Sequence, residues 1–165
     1  MDIASLANDL KSADASVRAK AAEELTHLEG GAQAAAIQLV LAAADADESV
    51  RQWATAALES LGPPLASELT KLAELLADTR LDVAYWAAML LGRLAVGAAA
   101  AIPNLAKALE SHPELAVRER CAWALGQIGP AANSALASLQ RAAADPHPRL
   151  SRLAKEAIEQ ISSRE

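Results

Sequence analysis

Three histidines and one cysteine are the side chains of this sequence best suited to acid–base, metal or nucleophilic chemistry. His27, His112 and His147 are widely separated, and no HExxH motif, His–Glu dyad or Cys–His pairing occurs. His112 and His147 each neighbour a proline and are predicted to be surface residues of turns. Cys121 lies in helical sequence and is expected to be a small apolar core residue. The sequence therefore predicts no catalytic residue, no metal and no cofactor.

Two sets of apolar residues recur about every 33 positions and define five repeats. The first set opens five similar segments with steps of 33, 33, 34 and 33: Val17, Val50, Val83, Val117 and Leu150. The second set lies upstream, with steps of 33, 33, 33 and 34: Leu6, Leu39, Leu72, Leu105 and Leu139. Apolar spacing within each segment places one stripe on one helix face. Each repeat is therefore predicted to be a pair of helices, A and B, that needs neighbouring repeats to bury its core.

This organisation predicts an all-α protein with about ten helices in a single domain. The domain is expected to cover residues 1–165, and its repeats are approximately 2–30, 31–63, 64–97, 98–130 and 131–165. The candidate N-caps of B helices are Asp14, Asp47 or Asp45, Asp78 and Asp145. The sequence Ser-His-Pro-Glu at 111–114 is a candidate capping box.

The B segments resemble the short HEAT-like repeats first described in phycobilisome lyases, whose pattern is roughly V-R-x-x-A-A-x-A-L-G-x-I-G. Residues 117–129 read VRERCAWALGQIG and depart from it only where Cys121 replaces alanine. The resemblance covers residues 2–161 and implies an α-solenoid, or α-α superhelix, of five HEAT-like repeats. It also implies that the A helices form the convex layer and the B helices the concave one.

The resemblance assigns a further role to the arginine that follows the opening valine. In this family that arginine bonds the turn of an adjacent repeat, and Arg18, Arg51 and Arg118 match it. Ala84 and Ser151 replace it in repeats three and five, which are therefore expected to be tied less firmly.

Variable positions of the pattern, 2, 3, 6 and 10 places after the opening residue, are expected to face a partner on the concave surface. All four aromatic residues of the chain fall at such positions, and Trp, Tyr and Arg dominate the energetics of interfaces. Trp53 and Trp86 share a position at the flank of the core stripe. For these two residues, packing between adjacent B helices is the alternative to contact with a partner. We expect a patch in repeats two to four, extended by Arg152, that is open to solvent in the unbound protein and consists of Gln52, Trp53, Tyr85, Trp86, Met89, Arg93, Glu119, Arg120, Trp123, Gln127 and Arg152.

The predicted function is a non-catalytic scaffold that binds another protein or peptide, or a second copy of the chain, on this face. Arg93, Arg120 and Arg152 favour acidic groups on the partner. The alternatives are a bilin-lyase-like enzyme, a DNA-binding HEAT protein of the alkylpurine-glycosylase type, and a structural segment of a larger assembly.

Charge and hydropathy narrow the classes of partner and the location. The net charge is −6, so nucleic acid and anionic membranes are disfavoured. The charge is uneven, with −8 in residues 1–82 and +2 in residues 83–165. No apolar run reaches the roughly 18 residues of a membrane span. A single cysteine and the lack of a leader-like start predict a reducing, cytoplasmic setting.

Overall fold

Ten α-helices and four short 3₁₀ segments make up the computed structural model, which describes residues 2–28 and 31–163. The A helices are α1 (Ile3–Asp9), α3 (Ala36–Ala42), α5 (Leu69–Leu75), α7 (Ile102–Ser111) and α9 (Leu136–Ala143). The B helices are α2 (Ala15–Thr26), α4 (Glu48–Ser60), α6 (Leu81–Arg93), α8 (Leu115–Ile128) and α10 (Pro148–Ser162). The 3₁₀ segments are Ala32–Ala35, Ala66–Glu68, Ala95–Ala101 and Gly129–Ala135. The five predicted A–B pairs and the all-α solenoid class are confirmed.

Two compact units divide these helices, residues 1–68 and residues 69–165. We call them unit 1 and unit 2. In unit 1, α2 packs against α4, and α1 and α3 each pack against their own B helix. In unit 2, the central helix α8 packs against α6 on one side and α10 on the other. The single domain over residues 1–165 stays a prediction.

The core consists of the leucines and small residues that define the repeat. The upstream marker leucines, one in each A helix, are at most 2% exposed. In α8 the stripe of Val117, Cys121, Leu125 and Ile128 is buried throughout. Burial raises the pKa of the Cys121 thiol to about 12, which disfavours the thiolate form that nucleophilic chemistry requires. Cys121 is therefore a small apolar core residue, as expected.

The opening valine of the first repeat departs from this pattern. Val17 is 39% exposed, whereas Val50, Val83, Val117 and Leu150 are fully buried. Leu150 in the last repeat is covered although no described repeat follows it. In the described residues no repeat precedes Val17.

The junctions from B to A helices use a left-handed residue twelve places after the opening valine. Gly62 and Gly129 have φ of 71° and 73°. In repeat three the same place is held by Ala95, with φ of 49°. A side chain in this region meets the following carbonyl oxygen, which costs about 1–2 kcal/mol. The repeat geometry thus imposes the turn even where the sequence lacks the favoured glycine.

The predicted caps at Asp14 and Asp47 are confirmed. Those at Asp78 and Asp145 are wrong, since the N-caps of α6 and α10 are Arg80 and His147, and the predicted capping box is wrong as well. The carboxylate of Asp14 accepts a hydrogen bond from the Ser16 backbone, and Asp47 accepts two, from Ser49 and Val50. α8 begins after Glu114 without any side-chain cap. The Glu114 backbone N–H donates to Nδ1 of His112 instead, at 3.1 Å.

Two of the three family arginines, Arg18 and Arg118, tie adjacent repeats as the resemblance implies. Among the described residues, Arg51 donates only to the carbonyls of Asp45 and Ala46 in its own turn. Arg18 donates hydrogen bonds to both carboxylate oxygens of Asp45 at 2.8 Å. It also donates to two carbonyls of its own A–B turn. Arg118 donates to Oδ2 of Asp145 at 2.8 Å and to the carbonyl of Leu109. The His147 backbone N–H and imidazole, together with Arg118, lower the pKa of Asp145 to about 2. These bonds fasten the A–B turn of one repeat to that of the next.

Of the two repeats that lack this arginine, repeat three is tied to repeat four by another side chain, whereas the Ser151 bond of repeat five lies within that repeat. In repeat four Nδ1 of His112 accepts a hydrogen bond from the Glu114 backbone N–H. Its Nε2 therefore carries the ring hydrogen and donates it to the carbonyl of Asp78 in repeat three, at 3.1 Å. In repeat five the Ser151 hydroxyl donates to the carbonyl of Ala143 at 2.6 Å. His112 is buried at 8% exposure. The prediction that it is a surface turn residue was therefore wrong.

Candidate functional site

Rings and guanidinium groups gather on the B helices of unit 2. α6 contributes Tyr85, Trp86 and Arg93, and α8 contributes Arg120 and Trp123, which lie one helical turn apart. α6 and α8 pack side by side, so variable positions of repeats three and four become neighbours. We call three half-buried members of this group, which are in contact through Arg120, the ring–arginine surface: Tyr85, Arg120 and Trp123.

Arg120 is at the centre of the ring–arginine surface. Its Cζ atom lies 5.2 Å from the centroid of the Tyr85 ring and 5.7 Å from that of Trp123. Both distances fall within the range of cation–π attraction. Tyr85 in turn meets Trp86 edge to face, with centroids 5.7 Å apart and planes at 87°. Arg93 lies 5.9 Å from the centroid of Trp86.

Trp123 is seated on a glycine of the neighbouring helix. A Cβ placed on Gly92 of α6 would lie 2.8 Å from Cε3 and 2.9 Å from Cη2 of Trp123, and closer still to Cζ3. Only a residue without a side chain leaves room for this ring. α6 therefore fixes one face of the indole, while the ring as a whole stays partly exposed.

Two residues of the predicted patch do not face solvent. Trp86 is 7% exposed and Glu119 is 8% exposed. For Trp86 the alternative of structural packing describes its environment, and the expectation that all three tryptophans are open to solvent was wrong. Glu119 is turned towards the start of α10, where Nε of Arg149 lies 3.3 Å from its carboxylate. This ion pair links repeats four and five.

The remaining predicted residues lie elsewhere on the B helices. In unit 1, Gln52 is exposed and bonded to Glu48, and Trp53 is partly exposed. In unit 2, Met89 is half-buried on α6, and Gln127 is exposed near the end of α8. Arg152 is exposed and forms an ion pair with Glu156 at 2.7 Å.

The described arginines of unit 2 differ in how their charge is matched. Five of them each lie beside a carboxylate: Arg80, Arg118, Arg141, Arg149 and Arg152. Arg120 has no carboxylate of the described residues within ion-pairing distance, and its close neighbours are the two rings. Among the described residues, its guanidinium group is therefore in close contact with ring faces and not with a carboxylate.

Two cavities of unit 2 were not anticipated from the sequence. The first, of about 380 Å³, lies between α5 and α7, where its lining includes Ala73, Ala77 and Ala108 together with Lys107 and His112. The second, of about 540 Å³, is polar and lies where α8 and α10 end, beside Gln127, Glu159 and Gln160. The alanines at A-helix contact positions are the sequence signal that could have indicated the first.

Groupings typical of metal or membrane proteins are absent from the described part of the chain. Within residues 2–28 and 31–163, no three His, Cys, Asp or Glu side chains come together in a way that could hold a metal ion. In the same residues, no helix has both the length and the apolar character that crossing a lipid bilayer requires.

Helix pairs of this length, stacked through B helices and fastened by turn arginines, define a class of α-helical repeat protein. The family model for HEAT repeats matches residues 69–159, which is more than half of the chain. The chain therefore belongs to the HEAT-repeat family. Comparison with curated protein sequences gives no match.

Solved structures of repeat proteins share the fold. The complex of CpcE and CpcF of phycocyanin lyase from Nostoc sp. PCC7120 matches with a TM-score of 0.70 and 25% identity, covering 99% of this chain and 66% of that one. A designed armadillo repeat protein in complex with the peptide (KR)4 matches with a TM-score of 0.65 and 18% identity, over 97% and 82% of the two chains. An engineered protein matches with a TM-score of 0.63 and 22% identity, over 99% and 81%.

Proposed function

We propose that the chain is a non-catalytic binding module that holds a segment of another protein on the ring–arginine surface. The observation that carries this proposal is the arrangement of Tyr85, Arg120 and Trp123 as partly exposed, mutually supported side chains on α6 and α8. Trp, Tyr and Arg are the residue types most enriched among binding hot spots. A cytoplasmic location belongs to the same proposal.

Preorganisation supports this function. Trp123 is seated against Gly92, and Arg120 rests against two rings, so the side chains that would contact a partner have little conformational freedom left to lose. Binding to such a surface avoids part of the entropic penalty of ordering long side chains. A surface of flexible side chains would lack this advantage.

The similar structures agree with a protein or peptide partner in general terms. One of them is a repeat protein bound to a peptide, and another is a complex of two protein chains. For the present chain the identity of the partner is part of the proposal. A second copy of the chain is the variant that the experiment must separate from a different partner.

The test is affinity of the full chain for peptides selected from a random library. We expect selected peptides to lose about 30-fold or more in affinity for Trp123→Ala, because truncating a hot-spot residue removes 2 kcal/mol or more of binding free energy. Fluorescence anisotropy of labelled peptides measures the loss. Circular dichroism spectra of both proteins establish that the variant retains its helices.

Val96→Ala is the matched control, since Val96 is an apolar residue that is 68% exposed and lies in a 3₁₀ segment outside the ring–arginine surface. Its affinity for the same peptides should equal that of the wild type. Failure of the library to yield any peptide, or equal affinity of wild type and Trp123→Ala, would contradict the proposed function.

A further inference from the structure

Arg120 differs from the five described arginines of unit 2 that each lie beside a carboxylate. The carboxylates of Glu119 and Glu156 already form ion pairs with Arg149 and Arg152. The carboxylate of Glu119, the residue before Arg120 in sequence, is therefore already paired with an arginine of repeat five. Arg93 lies over the buried ring of Trp86. Arg120 is left as a half-exposed cation whose described neighbours are ring faces.

The rings constrain how Arg120 can receive a ligand. A guanidinium group is planar and carries its N–H donors around its edge, whereas ring stacking uses its face. No described residue accepts a hydrogen bond from the N–H groups of Arg120, so these donors are available, and contact with Tyr85 and Trp123 limits the motion of the group. Two parallel N–H donors match the two oxygens of a carboxylate, which makes such pairs stronger and more directional than neutral hydrogen bonds.

The charge of the whole chain also bears on the partner. Residues 69–165 contain 11 Lys and Arg and 10 Asp and Glu, while residues 1–68 contain 4 and 11. Unit 2 is thus nearly neutral, and it has no surplus of acidic residues that would repel an acidic segment. A strongly basic ligand would instead meet an unpaired arginine at the centre of the ring–arginine surface.

We propose that the partner is a protein segment that places an Asp or Glu side chain on Arg120, with an apolar residue beside it against Tyr85 and Trp123. This inference rests on the proposed function and specifies its ligand. The carboxylate forms a two-bonded pair with the edge of the guanidinium. The apolar neighbour covers the exposed parts of the two rings.

The experiment extends the peptide selection to the composition of the selected peptides. The library is displayed so that its peptides have no free C-terminus, which restricts any carboxylate to side chains. We expect Asp or Glu beside an apolar residue in the selected sequences. Replacing that acidic residue with its amide, or making Arg120→Gln, should each weaken binding by roughly 10- to 100-fold. The two changes together should weaken it little further, because they remove the same pair.

Arg152→Gln is the matched control, because Arg152 is an exposed arginine on the next B helix that already pairs with Glu156. It should leave affinity unchanged at fixed ionic strength. Equal losses in Arg152→Gln and Arg120→Gln would indicate general charge attraction and overturn the proposal.

Other outcomes separate this inference from the proposed function. If the selected peptides lack acidic residues and still bind Trp123→Ala more weakly than the wild type, that result would contradict the carboxylate contact with Arg120 and still support the proposed binding surface. Peptides whose affinity is unchanged in both Trp123→Ala and Arg120→Gln would contradict the inference and the proposed function. A dimer in sedimentation velocity that Arg120→Gln dissociates would replace the separate partner with a second copy of the chain, and so contradict the inference as well.

Discussion

Replacing Leu125 with alanine is expected to lower the free energy of unfolding by about 2–5 kcal/mol. Leu125 is fully buried in α8, which packs against both α6 and α10. The substitution removes apolar contacts and leaves a cavity that helices held on two sides can only partly close. Urea unfolding followed by circular dichroism measures the change.

Leu81→Ala provides the matched control, because it makes the same chemical change at a residue that begins α6 and is 40% exposed. Its effect should be within about 1 kcal/mol of zero, as for most surface substitutions. Similar losses for the two variants would contradict the assignment of the α8 stripe as the centre of the unit 2 core.

Gly92→Ala is expected to destabilise the chain although alanine is the better helix former. The exchange gains about 1 kcal/mol of helix propensity at an interior helical position. It also drives a Cβ into the ring of Trp123, and overpacking of this kind costs about 1–3 kcal/mol. In the Trp123→Ala background the clash is absent, so the same exchange should stabilise by about 1 kcal/mol.

This change of sign is the diagnostic result, and urea unfolding of the four proteins of the double-mutant cycle measures it. Gly97→Ala is the control for the exchange itself, since a Cβ there meets no atom closer than 3.9 Å. A Gly92→Ala effect that does not depend on residue 123 would show that the indole is not seated on α6.

The architecture could be predicted from the sequence because its period is explicit. Opening residues such as Val50 and Val83, and marker leucines such as Leu39 and Leu72, recur at nearly constant steps and are all buried. A helix pair with such a stripe has few alternatives to stacking on its neighbours. The family arginines then indicated the ties at Arg18 and Arg118, which the structure confirms.

The site was predicted less completely because position on one helix does not determine contacts with the next. Trp86 and Arg120 share the same place in their repeats, yet Trp86 is buried and Arg120 is half-exposed. The difference depends on which side chains the adjacent repeat presents. Gly92, six residues after Trp86 on α6, was the available sequence signal that a bulky neighbour could be accommodated there.

His112 shows the same difficulty at a turn. A histidine beside a proline suggests a surface position, and the sequence gives no indication that its imidazole reaches the carbonyl of Asp78, 34 residues earlier. That bond forms where Ala84 removes the usual arginine from repeat three. A substitute bond of this kind joins two repeats, so it cannot be predicted from the sequence of either repeat alone.

The central claim is that a partner segment lies on Tyr85, Arg120 and Trp123. The most direct measurement is NMR of the indole N–H signals of the three tryptophans during titration with a selected peptide, each signal assigned with a Trp→Phe variant. The claim predicts that the Trp123 signal moves in proportion to the bound fraction, because its partly exposed ring is covered. A Trp123 signal that stays in place when the chain is saturated with peptide would contradict it.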